Sequence, residues 1–260
     1  MLALYSTLSA QENPRRFSAM LKSDGQDTWK ATWRVVGLPF HATSNEYLIA
    51  AGILGGAVLT CTLDRTMYKA VQRQKGHLVN TVNNIGHFYQ GPQVNFGTAG
   101  ILYASGLIAH NPDLRRTGAE IVEAVAISAG GSQILKFAVG RSRPYAGSGP
   151  FHFRFGGPIW RDEHASFPSG DVTAAFAFSS VLAAETKSWP ISVALYALSG
   201  TVAFQRMEVR QHWFSDTVCG AVWGTAVGWA VVHVNRRLHQ TSVGVAVEEV
   251  PNTVGLRFNW

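Results

Sequence analysis

The sequence predicts an all-α protein, a bundle of about six core helices that ends in a short β-hairpin. Two patterns carry that prediction. First, six apolar runs recur along the chain: Tyr47–Leu63, Phe96–Ala109, Ile121–Val139, Val172–Ala184, Ile191–Phe204 and Thr217–Val234. Stretches of this kind mark core helices or short membrane spans. Second, the tail changes period. Val243, Val245 and Val247 alternate with smaller or polar residues, Pro251-Asn252-Thr253 supplies a turn, and Leu256 and Phe258 alternate again up to Trp260. Such a hairpin would serve as a flap against the body or as an oligomer contact.

Composition sets the outer limits. With 47% apolar residues in a chain of 260, disordered and collagen-like classes are excluded. Only two cysteines occur, Cys61 and Cys219, both inside apolar runs. They read as buried free thiols, which excludes a disulfide scaffold. The net charge of +6 favours anionic partners but is too diffuse for a nucleic-acid stripe.

Three regions follow in order. Residues 1–46 read as an irregular lead-in with one short amphipathic helix. Met1 to Gln11 resembles either the tail of a signal peptide or an ordinary frayed end. Residues 47–240 form the helical domain, and 241–260 the hairpin tail. Thr43-Ser44-Asn45-Glu46 looks like a cap for the first apolar helix. A basic amphipathic stretch from Asp64 to Asn84 leads into a turn-rich loop, Gly86 to Pro92, and Asn111-Pro112-Asp113 breaks the chain again. Residues 140–170 make the longest irregular stretch, a feature that often marks function.

A membrane location is left open. A span needs about 20 apolar residues, and three of the six runs fall short. The third run also carries Glu123, Gln133 and Lys136, which are costly against lipid. The mean hydropathy of +0.05 fits either a membrane bundle with short spans or a compact helical globule. Arg115, Arg116, Lys187, Arg236 and Arg237 would gather on one side, but Arg65, Lys69, Arg73 and Lys75 cancel the bias.

Three clusters lie where an apolar helix meets a loop. In the first, Lys136 precedes Arg143-Pro144; if the helix persists, the two cations are two turns apart on one face. Paired cations suit a tetrahedral oxyanion, although cations also decorate ordinary helix C-termini. In the second, Ser166-Phe167-Pro168-Ser169-Gly170-Asp171 stands before a helix, as an anion site or a plain N-cap. In the third, Arg206 precedes His212 and Asp216. That spacing lets a carboxylate hold an imidazole in one tautomer, or makes a structural pair. Arg141 reads as facing solvent or the rim. Asp162, Glu163 and His164 are candidate replacement acids, and His87 and Tyr89 candidate pocket residues.

Taken together, the order Lys-x6-Arg-Pro, Pro-Ser-Gly, Arg-x5-His-x3-Asp resembles the type 2 phosphatidic acid phosphatase superfamily over about residues 95–235. That superfamily includes bacterial acid phosphatases, lipid phosphatases and vanadium haloperoxidases. The resemblance implies that Lys136, Arg143 and Arg206 clamp phosphate oxygens, with Ser169 and the Gly170 N–H completing the cradle. His212 would be the nucleophile that forms a phosphohistidine, and Asp216 would orient it. No metal or cofactor is implied. The implied substrate is a phosphorylated lipid, an isoprenoid pyrophosphate or a small phosphomonoester. The implied setting is the bacterial envelope, at the inner membrane with a periplasmic site or soluble in the periplasm.

One position departs from the family motif. Where relatives carry Pro-Ser-Gly-His, this chain has Asp171. In relatives that His is held to protonate the leaving group, and aspartates are ordinarily ionised near neutral pH. The departure implies either a weak or acid-optimum phosphatase, or a binder of phosphate or lipid phosphate that has lost turnover. A vanadium-dependent haloperoxidase is the remaining alternative; those enzymes are longer and also use the missing His.

Overall fold

The structure, a computed structural model, describes residues 14–156 and 162–248. Among them are nine α-helices: α1 (Pro14–His41), α2 (Ser44–Leu59), α3 (Asp64–Arg73), α4 (His77–Tyr89), α5 (Pro92–Ile108), α6 (Pro112–Val139), α7 (Gly170–Thr186), α8 (Trp189–Glu208) and α9 (Phe214–Glu248). The described residues contain no strand, only an isolated bridge between Arg141 and Phe153. The six apolar runs coincide with α2 and the short turn after it, α5, α6, α7, α8 and α9. Two starts follow directly from sequence. The Thr43 hydroxyl accepts the Glu46 N–H at 3.4 Å while the Glu46 carboxylate accepts the Thr43 N–H at 2.7 Å. Asn111 Oδ1 accepts the N–H groups of Asp113 and Leu114 at 2.9 and 3.2 Å, opening α6.

Three expectations are corrected. Residues 14–41 are not irregular but form the 28-residue α1. Its own sequence is weakly apolar, so its support is tertiary. Ala31 and Val35 enter the core, and Asp24 accepts from the Tyr103 hydroxyl and from Arg115 Nε, both at 2.9 Å. The expected loop at Gly86 is instead the last turn of α4, which runs on to Tyr89. Gly86 serves there as a close-approach residue against the Thr201 backbone of α8. The first limb of the expected hairpin, Val243 to Val247, is helical within α9. Extending a formed helix costs little, whereas an isolated hairpin is marginal. The second limb, like the resemblance at Met1–Gln11, lies outside the described residues.

Helix α7 occupies the centre, against α6, α8 and α9. Val172, Ala175, Phe178 and Val181 from α7 meet Ile121, Val125, Val202 and Val231 in the core. The α7–α9 approach depends on three glycines at one-turn spacing, Gly220, Gly224 and Gly228, the middle one close against the Thr173 carbonyl. A Cβ on Gly220 would stand 2.8 Å from the Ser169 carbonyl oxygen, and one on Gly228 2.7 Å from that of Ala177. That contact sets the start of α7 beside the start of α9, and the functional residues collect there.

Among the described residues, three helical stretches are long and apolar enough to cross a membrane: Ser44–Arg73, Pro112–Val139 and Phe214–Gln240. Helix α2 turns Leu48, Ile49, Ile53 and Leu59 outward. Cys219 is buried, but Cys61 is only partly so, short of the expectation.

Candidate active site

The first cluster does not lie on one helix. Helix α6 carries Lys136 in its last turn and stops at Val139. Gly140 takes a left-handed conformation (φ 56°) and its N–H closes on the Lys136 carbonyl at 2.9 Å. A Cβ at Gly140 would strike the Arg154 carbonyl, so the close approach admits only glycine. The helix therefore ends before Arg143, and the expected shared face is replaced by a turn. Arg143 sits in the extended segment beyond it.

The second cluster gathers groups that fit an anion. The Ser169 N–H donates to the Asp216 carbonyl at 3.0 Å, which pins the N-cap of α7 to the start of α9. The Ser169 side chain caps nothing: its hydroxyl is fully buried and has no hydrogen-bond partner. Gly170 opens the helix, and Lys136 Nζ stands 3.5 Å from where a Cβ on Gly170 would lie. A helix N-terminus, an ammonium and a buried orphan hydroxyl together fit an oxyanion.

The two guanidinium groups are already engaged. Arg143 donates through Nη2 to Asp162 Oδ1 at 2.7 Å, through Nε to the Asp162 carbonyl at 2.8 Å, and through Nη1 to the Gln211 side chain. Arg206 Nη1 lies 3.3 Å from Asp171 Oδ2, and its Nε donates to Gln205 Oε1 at 2.8 Å. Two carboxylates thus stand beside the cations that an incoming anion would meet.

His212 is 2% exposed. Its Nδ1–H donates to the Ser166 carbonyl at 2.7 Å, which leaves the Nε2 lone pair unused by that bond. Burial holds its pKa well below the ordinary 6.5, and the charges of Arg143 and Lys136 push the same way; the Ser166 carbonyl opposes them. The ring is neutral, as a nucleophile requires.

Asp216 does not hold the ring as its spacing suggested. Its Oδ2 is 3.9 Å from His212 Nδ1, beyond a hydrogen bond. The i, i+4 geometry fails because His212 precedes α9, which begins at Phe214. Asp216 instead accepts from the Ser166 hydroxyl at 2.5 Å, the Trp213 N–H at 2.8 Å and Arg141 Nη1 at 2.6 Å. Ser166 is the link between carboxylate and imidazole.

Other expectations change too. Arg141 faces neither solvent nor rim; it is wholly buried between Asp64 and Asp216. No local signal foretold this: residues two apart in an extended segment share a face, so the spacing from Arg143 did not turn Arg141 inward. Asp64 and Ser166 carried no signal of their own. Tyr89 is a core residue bonded to Ser179 at 2.7 Å, and His87 is exposed beside Gln90, so neither is a pocket residue. Among the candidate acids, Asp162 is tied to Arg143 and to the Tyr145 hydroxyl. The His164 ring meets Ser142 Oγ at 3.1 Å and Glu163 at 3.4 Å.

Fold and site together define a helical bundle that gathers groups fit for an oxyanion near a buried imidazole. The family model of the PAP2 superfamily matches residues 117–240, from the first turns of α6 to within α9, a stretch that holds Lys136, Arg143, Ser169, Gly170, Arg206, His212 and Asp216. No curated protein matches the chain. Among solved structures, the crystal structure of LpxE from Aquifex aeolicus is similar at 18% identity and a TM-score of 0.49, over 66% of this chain and 95% of that one.

Proposed function

We propose that this chain is a PAP2-type phosphatase that hydrolyses phosphomonoesters without a metal, through a phosphohistidine at His212. Its substrate is a lipid phosphate or an isoprenoid pyrophosphate. The observation that carries the reading is the orphaned, buried Ser169 hydroxyl at the start of α7, in the same site as a neutral imidazole whose other nitrogen is free. Lys136, Ser169 and the Gly170 N–H receive the phosphoryl oxygens. Arg143 and Arg206 join them by exchanging Asp162 and Asp171 for substrate. His212 Nε2 attacks phosphorus, and the bond to the leaving oxygen breaks. Water then attacks the phosphoryl group, releases phosphate and returns the ring to its neutral form. Asp216 acts on the ring through Ser166.

Asp171 slows the first step. An aspartate paired with Arg206 offers no proton to a leaving alkoxide, so turnover on alkyl monoesters is reduced. Pyrophosphates and aryl esters, whose leaving groups need no proton, suffer less. Release of phosphate from a chromogenic phosphomonoester across pH, with His212→Ala as control, tests the reading. A second reading, a lipid-phosphate binder without turnover, is favoured by Asp171, which stands beside Arg206 where the motif of relatives carries a His. It predicts vanadate binding with no phosphate release.

Three spanning-length helices and the outward apolar face of α2 support a place in the membrane, with the cradle facing the periplasm of a bacterial envelope. Alkaline extraction of membranes tests this, since release into the soluble fraction would overturn it.

A further inference from the structure

We propose that Arg141 is a positioning residue for His212, acting through Ser166 and itself held in place by Asp64. The proposal rests on the reading of His212 as nucleophile.

Arg141 is fully buried, and its guanidinium is saturated. Nη1 donates to Asp216 Oδ1 at 2.6 Å and Ser215 Oγ at 2.7 Å; Nη2 donates to Asp64 Oδ2 at 2.5 Å and the Pro150 carbonyl at 2.7 Å. Nε donates to the same Pro150 carbonyl at 2.9 Å. Asp64 in turn accepts the Ser215 N–H and hydroxyl, both at 2.8 Å, and so caps the first turn of α9 from another helix. Replacing a buried ion network by apolar side chains of similar volume is often neutral for stability. What the network delivers here is direction.

Ser166 is where that direction arrives, and Arg141 reaches it by two routes. The Arg141 carbonyl accepts the Ser166 N–H at 3.0 Å. The Arg141 side chain fixes Asp216, whose Oδ2 accepts the Ser166 hydroxyl at 2.5 Å. With both its N–H and its hydroxyl anchored, Ser166 presents its carbonyl to His212 Nδ1 at 2.7 Å. That bond sets both the tautomer and the aim of Nε2. One cation and two carboxylates also leave the network net negative. The charge suits an imidazole that becomes cationic when Nε2 is phosphorylated and Nδ1 keeps its proton.

The test uses the full chain with a chromogenic aryl phosphate and vanadate as the cradle probe. Arg141→Lys keeps the charge but cannot reproduce the fork. It should lower kcat by about 10²-fold, while KM and vanadate inhibition stay within about threefold, because the cradle does not depend on ring aim. Asp64→Asn should move kcat the same way by less. Unchanged kcat in Arg141→Lys, beside an inactive His212→Ala, overturns the proposal. So does parallel loss of kcat, vanadate affinity and thermal midpoint, which marks a merely structural role. If Arg141→Lys does not fold, Ser166→Ala decides: it cuts the link to Asp216 and leaves the Arg141–Asp64 pair intact, so normal kcat there is equally fatal. Activity surviving His212→Ala would instead bring down the parent reading.

Discussion

Each end of the bundle buries a network of charges, and the two are wired differently. At the cradle end, all five guanidinium N–H groups of Arg141 reach an acceptor, and both partner carboxylates are shared with backbone or hydroxyl donors. At the far end, Arg116 meets Asp113 at 2.8 Å, Glu185 at 3.3 Å and Glu120 at only 3.5 Å, while Arg236 meets Glu185 at 3.0 Å. Both Glu120 oxygens lack a hydrogen-bond partner although the residue is 1% exposed. The first network fixes directions and the second only balances charge. Complete hydrogen bonding therefore lies where a ring must be aimed, since a satisfied low-dielectric network is stiff and an unsatisfied one is not.

The largest effect separates the two ends outright. His212→Ala removes the proposed nucleophile and should lower kcat by about 10³-fold or more, measured as phosphate release. Glu120 lies far along α6 from Lys136, and no substitution there should approach that loss.

A gain is expected next. Asp171→His puts a proton donor beside the leaving oxygen and frees Arg206 from its carboxylate. Phosphatase activity near neutral pH should rise by roughly tenfold or more, with vanadate affinity changing less. Alkyl phosphates should gain more than aryl ones. If Asp171→His and Asp171→Asn both leave rates unchanged, residue 171 is not the missing acid.

The pH dependence is a smaller effect with a definite sign. As the proposed nucleophile, His212 would attack only when neutral, and its pKa is lowered by burial and by Arg143 and Lys136. The acid limb of kcat/KM should therefore lie below pH 6.5, since that limb reports the free enzyme. For stability, the unfolded ring takes up its proton first as pH falls. The contribution of His212 is thus intact above the unfolded value of about 6.5 and is lost as pH drops from there toward the folded value. A limb at or above 6.5 would mean that His212 is not the titrating base.

The smallest effect probes the far end. Glu120→Gln exchanges a buried carboxyl group, both of whose oxygens lack hydrogen-bond partners, for an amide. It should raise the thermal midpoint by roughly 2–4 °C while phosphate release stays at the parent rate. A drop in midpoint would show that the far network is as tightly built as the near one.

Much of this was legible in sequence, for a local reason. The six apolar runs, the Thr43 cap, the break at Asn111 and the three motif clusters each depend on neighbours a few residues away. The misreadings share a different cause. Helix α1 draws its support from Tyr103, Arg115 and Glu123, far along the chain. The His-x3-Asp spacing implied a direct contact only if the helix began before His212, and it begins after. Arg141 looked exposed because nothing near it in sequence is acidic; its partners are 77 and 75 positions away.

By itself, then, the sequence determined that the six apolar runs become helices, in what order, and that cations, a serine-glycine pair and an imidazole would fall at their ends. Helical periodicity and capping act within a turn or two, so they are written locally. Only the tertiary structure decided which atoms those groups face. Ser166 rather than Asp216 holds the ring, Arg141 rather than solvent holds Asp216, and Asp162 and Asp171 occupy the cations an anion would need. Those choices follow from glycine-tight contact of α7 with α9 and from burial that brings Arg141, Asp64 and Asp216 together, and no local pattern encodes either.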